Sequence, residues 1–231
     1  MKYLSGFFIW ILVLAARPML GRPMGDSAVD EPQLANIRID REIMDEDKPV
    51  AWILQDVLRG TGVPGGFAEL TGCSDLPKGR LNLKPGATLP DAMNTLVAAN
   101  PNYRWWLELG VVNLIPREGV PLLGTKIGNF QMDATDREIP AVLQDLVWLP
   151  EVQKRAAELG LKPGFGQGGP SAVPLHPVPR EPVPIHISLQ NLSLRDALNK
   201  VVQSSGHMIW IYHERDCNAV KTYTVETASG Y

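Results

Sequence analysis

Four stretches of this chain repeat one spacing of residue types, which confines it to folds that use the same helix-sized unit four times. Val50, Ile53, Leu54, Val57 and Leu58 make the first, with Gln55 among them, and Leu89, Ala92, Met93, Leu96 and Val97 the second, with Asn94. Ile139, Val142, Leu143, Leu146 and Val147 follow with Gln144, then Leu194, Ala197, Leu198, Val201 and Val202 with Asn199. Apolar residues at i, i+3, i+4, i+7 and i+8 form one stripe of an α-helix, and the amide at i+5 lies outside it. Each such helix has one oily face to bury, and a shared amide position marks a shared environment.

Asp47 ahead of Lys48-Pro49, Thr88, Thr135 or Asp136, and Ser193 stand where N-caps belong; Gly62, Asn100-Pro101 and Gly206 stand where helices stop. Strand-like runs flank the helices: residues 36–40, 81–83, 130–132 and 183–189 before them, then 103–108 and 111–115 around Leu109-Gly110, and 207–213 and 220–225 around a polar turn at 214–218. The element order is β-α-β-β-α-β-β over 36–116, and a longer copy follows over 122–226. The third helix is read as running on through Val152 to Leu159, ahead of a Gly/Pro-rich insertion at 160–184. The expected fold class is α+β: two tandem small domains, each with two helices packed on small β-sheets (βαβ-βαββ), joined near 116–123.

The run Ile185-His-Ile-Ser-Leu-Gln-Asn-Leu-Ser-Leu-Arg-Asp-Ala-Leu-Asn-Lys-Val-Val-Gln-Ser-Ser-Gly, followed by His207-Met-Ile-Trp-Ile-Tyr, resembles the secretin and TonB N-terminal short domain. Residues 38–62 and 81–115 are similar to the same pattern, a short strand, then L-x-x-A-L-x-x-L, then Gly and another strand. The resemblance implies two tandem copies, each with two helices between two small sheets, in a domain that sits in the periplasm before a secretin channel or outer-membrane receptor and engages protein partners. The 160–184 insertion has no place in that pattern. Only a few residues follow the second copy, so the expectation is a pair of such domains without a channel or barrel.

Residues 1–25 read as an export signal: Lys2, then an apolar run from Leu4 to Ala16 ended by Arg17. As a helix, that run spans roughly 20 Å, short of a ~30 Å hydrocarbon core, so no transmembrane span is expected once the signal is removed. Cleavage after Ala16, Gly21 or Gly25 is compatible with the sequence. Losing at least Lys2 and Arg17 lowers the net charge of −3 to −5, and losing Arg22 as well lowers it to −6. That mild acidity argues against a nucleic-acid partner, which requires a basic stripe. The expected location is the periplasm or the outer membrane. In an oxidising compartment Cys73 and Cys217 are a candidate disulfide, with two separate buried thiols as the alternative.

Candidate chemistry is sparse. His176, His186, His207 and His213 lack metal-ligand spacing, although His207 and His213, six apart, share one side of an extended strand. The Gly-rich run at 164–169 is followed by proline rather than a helix, so it does not cradle a phosphate. Asp45, Glu46 and Asp47 precede a helix, where negative charge suits the dipole. No catalytic, cofactor or metal set is expected, and the chain is not expected to be an enzyme. Trp105, Trp106, Trp210 and Tyr212 are the candidate aromatic contact surface, although burial of both faces of the strand from Met208 to Tyr212 accounts for two of them. The Pro-rich 174–184 stretch is a spacer or a ligand for an aromatic groove. The expected function is a non-catalytic protein-interaction module of the bacterial cell envelope, an accessory or adaptor to a secretion or outer-membrane transport or signalling system. The alternative is binding of a small molecule or glycan in a Trp-lined interdomain cleft.

Overall fold

The computed structural model describes residues 36–73, 76–134, 138–164 and 185–229. In chain order the first half comprises β1 (Arg38–Ile39), β2 (Ile43–Pro49), α1 (Val50–Leu58), β3 (Gly65–Thr71), β4 (Lys78–Leu83), β5 (Ala87–Thr88), α2 (Leu89–Ala99), β6 (Tyr103–Glu108) and β7 (Val111–Pro116). A 3-10 turn at Pro121–Gly124 leads to β8 (Lys126–Ala134), α3 (Ile139–Val147), α4 (Pro150–Glu158), β9 (Leu161–Pro163), β10 (Ile185–Ser193), α5 (Leu194–Ser205), β11 (Met208–Cys217) and β12 (Val220–Ser229). All four striped segments are helices, and the fold class is α+β. Their oily faces are enclosed: Ile53, Leu54, Leu89, Met93, Val142, Leu146, Leu194 and Leu198 are all within 1% of full burial. Thr88 accepts a hydrogen bond from Asp91 N, Ser193 forms a capping box with Asp196, and Gly206 closes α5 at φ 72°.

The two halves meet in one six-stranded sheet, ordered β6-β7-β3-β11-β12-β9. β6 and β7 are antiparallel, and β3 lies parallel to β7 on one side and to β11 on the other. β11 and β12 are antiparallel, and β9 is parallel to β12. Each half therefore supplies the same three-strand motif in the same left-to-right order, but with every strand direction reversed. A half-turn about a line crossing the strands, with a step of three strands, superposes one motif on the other. That operation also exchanges the faces of the sheet, so the helices of the two halves lie on opposite sides.

Side-chain alternation agrees, since successive residues of a strand point to opposite faces. Phe67, Val112, Leu114, Ile209 and Ile211 join α1 and α2 in one core, closed from outside by the β2–β4 pair. Ala68, Val111, Ile115, Trp210 and Tyr212 join α3, α4 and α5 in the other, closed by β8–β10. Each half thus holds its helices between the shared sheet and a two-stranded one. Both faces of β11 are covered, one by each half's helices.

Several local expectations change. The domains were expected to carry sheets of their own, whereas β3 and β11 pair across the halves over Ile209–Arg215. The 116–123 junction is no bare linker, because Leu122 and Leu123 are buried in the second core. Residues 45–47 form part of β2 rather than a cap: α1 starts after Pro49 with no side-chain cap, and Asp47 sits at φ 59° beside a bulge. Asp45 is buried and pairs with Lys48. The third helix stops at Val147, and α4 is a separate helix opened by Pro150, which lacks the N–H needed to continue α3 but suits a first turn. β11 continues to Cys217, so the turn is Asn218–Ala219 instead of 214–218. The expected caps at Thr135 or Asp136 lie outside the described residues.

Candidate functional site

The four amides account for themselves in pairs. In the second striped helix of each half, Asn94 Oδ1 accepts from Trp105 Nε1 at 2.9 Å and Asn199 Oδ1 from Trp210 Nε1 at 2.7 Å. Each Trp stands eleven residues after its Asn, on the strand that follows the helix. In the first helix of each half, Gln55 Nε2 donates to Ser229 O at 2.7 Å and Gln144 Nε2 to Val225 O at 2.9 Å. Both Gln side chains thus reach the backbone of β12, one from each side of the sheet. Position i+5 lies beside the oily stripe, close enough to the sheet to bond it, and an amide both donates and accepts. These residues are structural ties.

Trp210 and Tyr212 are fully buried, which withdraws them from the candidate contact surface. Trp105 and Trp106 remain half-buried on opposite faces of β6. Trp106 lies between two guanidiniums, with Arg104 5.4 Å and Arg195 5.3 Å from its ring centre, and its indole donates to Glu108 Oε2 at 3.2 Å. Arg195, in the first turn of α5, pairs with that Glu108 oxygen at 3.2 Å and with Asp196 at 3.0 Å. The ladder ties the first half's outer strand to the second half's helix and fixes the Trp106 ring.

The seam between the halves is stapled at one end. Cys73 and Cys217 form a disulfide 144 residues apart in sequence, just beyond the β3–β11 pairing. Within the seam, the fully buried Glu69 meets His213 Nδ1 at 2.5 Å in direct cross-strand register. Burial, and next the charge of Glu69, hold the Tyr103 phenol above its ordinary range. Burial does the same for Tyr212, whose hydroxyl donates to Glu214 Oε2 at 2.8 Å.

The outer strands of the sheet differ in what they offer. On β6, pairing with β7 alternates. Arg117 N donates to Asn102 O, while Val112 N donates to Pro64 O on the far side, so Val112 and its pair-mate Leu107 turn their backbones away from each other. By that alternation the N–H and C=O of Trp105 and Leu107 point outward, and no described strand takes them. Leu109 and Gly110, at φ 55° and 71°, close the β6–β7 hairpin as a tight two-residue turn and leave Leu109 exposed. At the opposite edge, Gly164 N bonds Tyr223 O, so its neighbour Pro163 faces outward, where it has no N–H to give. Among the described strands, one edge is blunted and the other is open.

Other candidates are less well equipped. His186 pairs with Asp133 at 2.9 Å on the surface, and among the described residues no three His, Cys, Asp or Glu side chains gather as a metal site. A cleft of about 420 Å³ is lined by Pro77, Pro101, Pro116, Tyr103 and Arg117 among others, with no Trp, so it is not the Trp-lined cleft of the alternative reading. No helix among the described residues is long and apolar enough to cross a membrane. The export signal, His176, the Gly-rich run from 165 and the Pro-rich stretch lie outside the described residues. No family model matches the chain, and neither a curated protein nor a solved structure does.

Proposed function

We propose that this chain is a non-catalytic protein-binding module of the bacterial cell envelope, an accessory or adaptor to a secretion or outer-membrane transport or signalling system, and that it binds by strand addition at β6. One observation carries the reading: among the described strands β6 is an open edge whose Trp105 and Leu107 backbone groups point outward, on a sheet whose other edge Pro163 blunts. An unpaired strand edge is a template for another chain, and natural folds block edges they do not use. The apolar run at 4–16 supports export to the periplasm or outer membrane, and the Cys73–Cys217 bond suits an oxidising compartment. The resemblance of residues 185–212 to the secretin and TonB short domain supports the same role. A photoreactive amino acid placed at position 102, beside β6, in living cells tests the reading. Irradiation is expected to join the chain to protein in the envelope; a chain recovered without any protein adduct contradicts it.

A further inference from the structure

We infer that the β6 edge is taken by a second copy of this chain, running antiparallel, so that two molecules share one continuous sheet. The inference rests on the protein-binding reading and names the occupant of the same edge. Hydrogen bonds form between residues whose backbones face each other, so an antiparallel partner must set Trp105 and Leu107 against outward-facing residues of its own. Three registers of β6 on itself do so. With Trp105 opposite Trp105, Arg104 faces Trp106 and Glu108 faces Asn102. With Leu107 opposite Leu107, Arg104 faces Gly110 and Glu108 faces Trp106. With Trp105 opposite Leu107 of the second copy, the two-fold axis passes at Trp106, and Arg104 of each copy faces Glu108 of the other.

That third register engages both outward residues of both strands and matches charge twice. Arg104, Trp106 and Glu108 share one face of β6, and Arg104 is exposed. Opposite charges directly across a strand pair attract and like charges repel. The two Trp106 rings meet at a non-hydrogen-bonded position, where side chains approach most closely, and each ring is already held by Arg195. The sequence Tyr-Arg-Trp-Trp-Leu-Glu is thus self-complementary about Trp106. A two-fold pairing consumes the β6 edge of both copies, and Pro163 blunts the opposite edge, so the shared sheet grows no further.

Charge reversal decides the matter, using the chain as it accumulates in the cell. Arg104→Glu sets Glu against Glu108, and Glu108→Arg sets Arg against Arg104. Each variant alone is expected to weaken self-association about tenfold or more. An equimolar mixture of the two restores opposite charges at both contacts and is expected to sediment as a dimer. Because Glu108 also pairs with Arg195, circular dichroism checks that Glu108→Arg folds. If it does not, amide exchange on the unmodified chain and on Arg104→Glu decides: the Trp105 and Leu107 amides are expected to slow with rising concentration in the first only. A monomer at every concentration, a dimer indifferent to Arg104→Glu, or folded variants that do not recover on mixing overturns the inference. The position-102 cross-link, which leaves Arg104 and Glu108 in place, separates it from the reading beneath it. An adduct of twice the chain mass supports self-pairing; adducts with other proteins only overturn self-pairing and leave the binding role standing; no adduct overturns both.

Discussion

Asn199 and Trp210 are both fully buried and bond at 2.7 Å, whereas the equivalent Asn94 is exposed beside a half-buried Trp105. Identical chemistry in unequal surroundings leads to unequal consequences. Asn199→Leu strands a buried indole N–H and is expected to lower stability by about 2–3 kcal/mol in urea unfolding; Asn94→Leu, where water can replace the acceptor, by less than about 1 kcal/mol. Equal losses would contradict this account. The tyrosines set the alkaline limit. Burial raises the phenols of Tyr103, Tyr212 and Tyr223 above their ordinary 10.0 in the folded chain. An unfolded chain releases those protons near pH 10 while the folded one keeps them, so stability is undiminished below that pH and falls as pH rises above it. Phenolate absorbance is expected to rise together with loss of the native circular dichroism, and Tyr212→Phe to move that midpoint upward.

Elements with a strong period were legible in the sequence, and elements placed by crowding were not. The helix stripes needed only the 3.6-residue repeat, and the β6–β7 hairpin announced itself through alternation and Leu109-Gly110. The element order contained a strand after α1, yet nothing located it, because β3 opens on Gly65-Gly66 directly after Pro64 and so resembles a turn. Its glycines answer to packing. A Cβ on Gly65 would press on Leu58 and Ile209 from one face, and a Cβ on Gly66 would enter the Trp210 ring from the other. Gly66→Ala is therefore expected to cost about 1–3 kcal/mol, read as a lower urea midpoint, with little effect on helix content. An unchanged midpoint would mean that Trp210 moves aside freely. β2 was missed because a run of four charged residues, Asp45 to Lys48, interrupts its alternation beside a bulge. β6 was legible as a strand, but its openness was not: which strand ends a sheet depends on the whole pairing order, and the β3–β11 junction that sets this order joins residues about 144 apart.

At the scale of the molecule, the sheet makes the halves depend on each other. Ile209 and Ile211 of the second half complete the first core, and Ala68, Val111 and Ile115 of the first half complete the second. Calorimetry is expected to show one unfolding transition, and Cys73→Ser to lower its stability by about 2–4 kcal/mol by freeing a 144-residue separation in the unfolded chain. Two separated transitions in the oxidised protein would show that the halves melt as independent bodies.

The central place of β11 also governs how the chain is made. Synthesis reaches residues 208–217 only after everything that flanks them in the sheet except β12, so the inner flank of β3 waits unpaired while more than a hundred residues are added. A nascent chain of this design has no finished half to set aside. Its first core lacks Ile209 and Ile211 until the closing hairpin arrives.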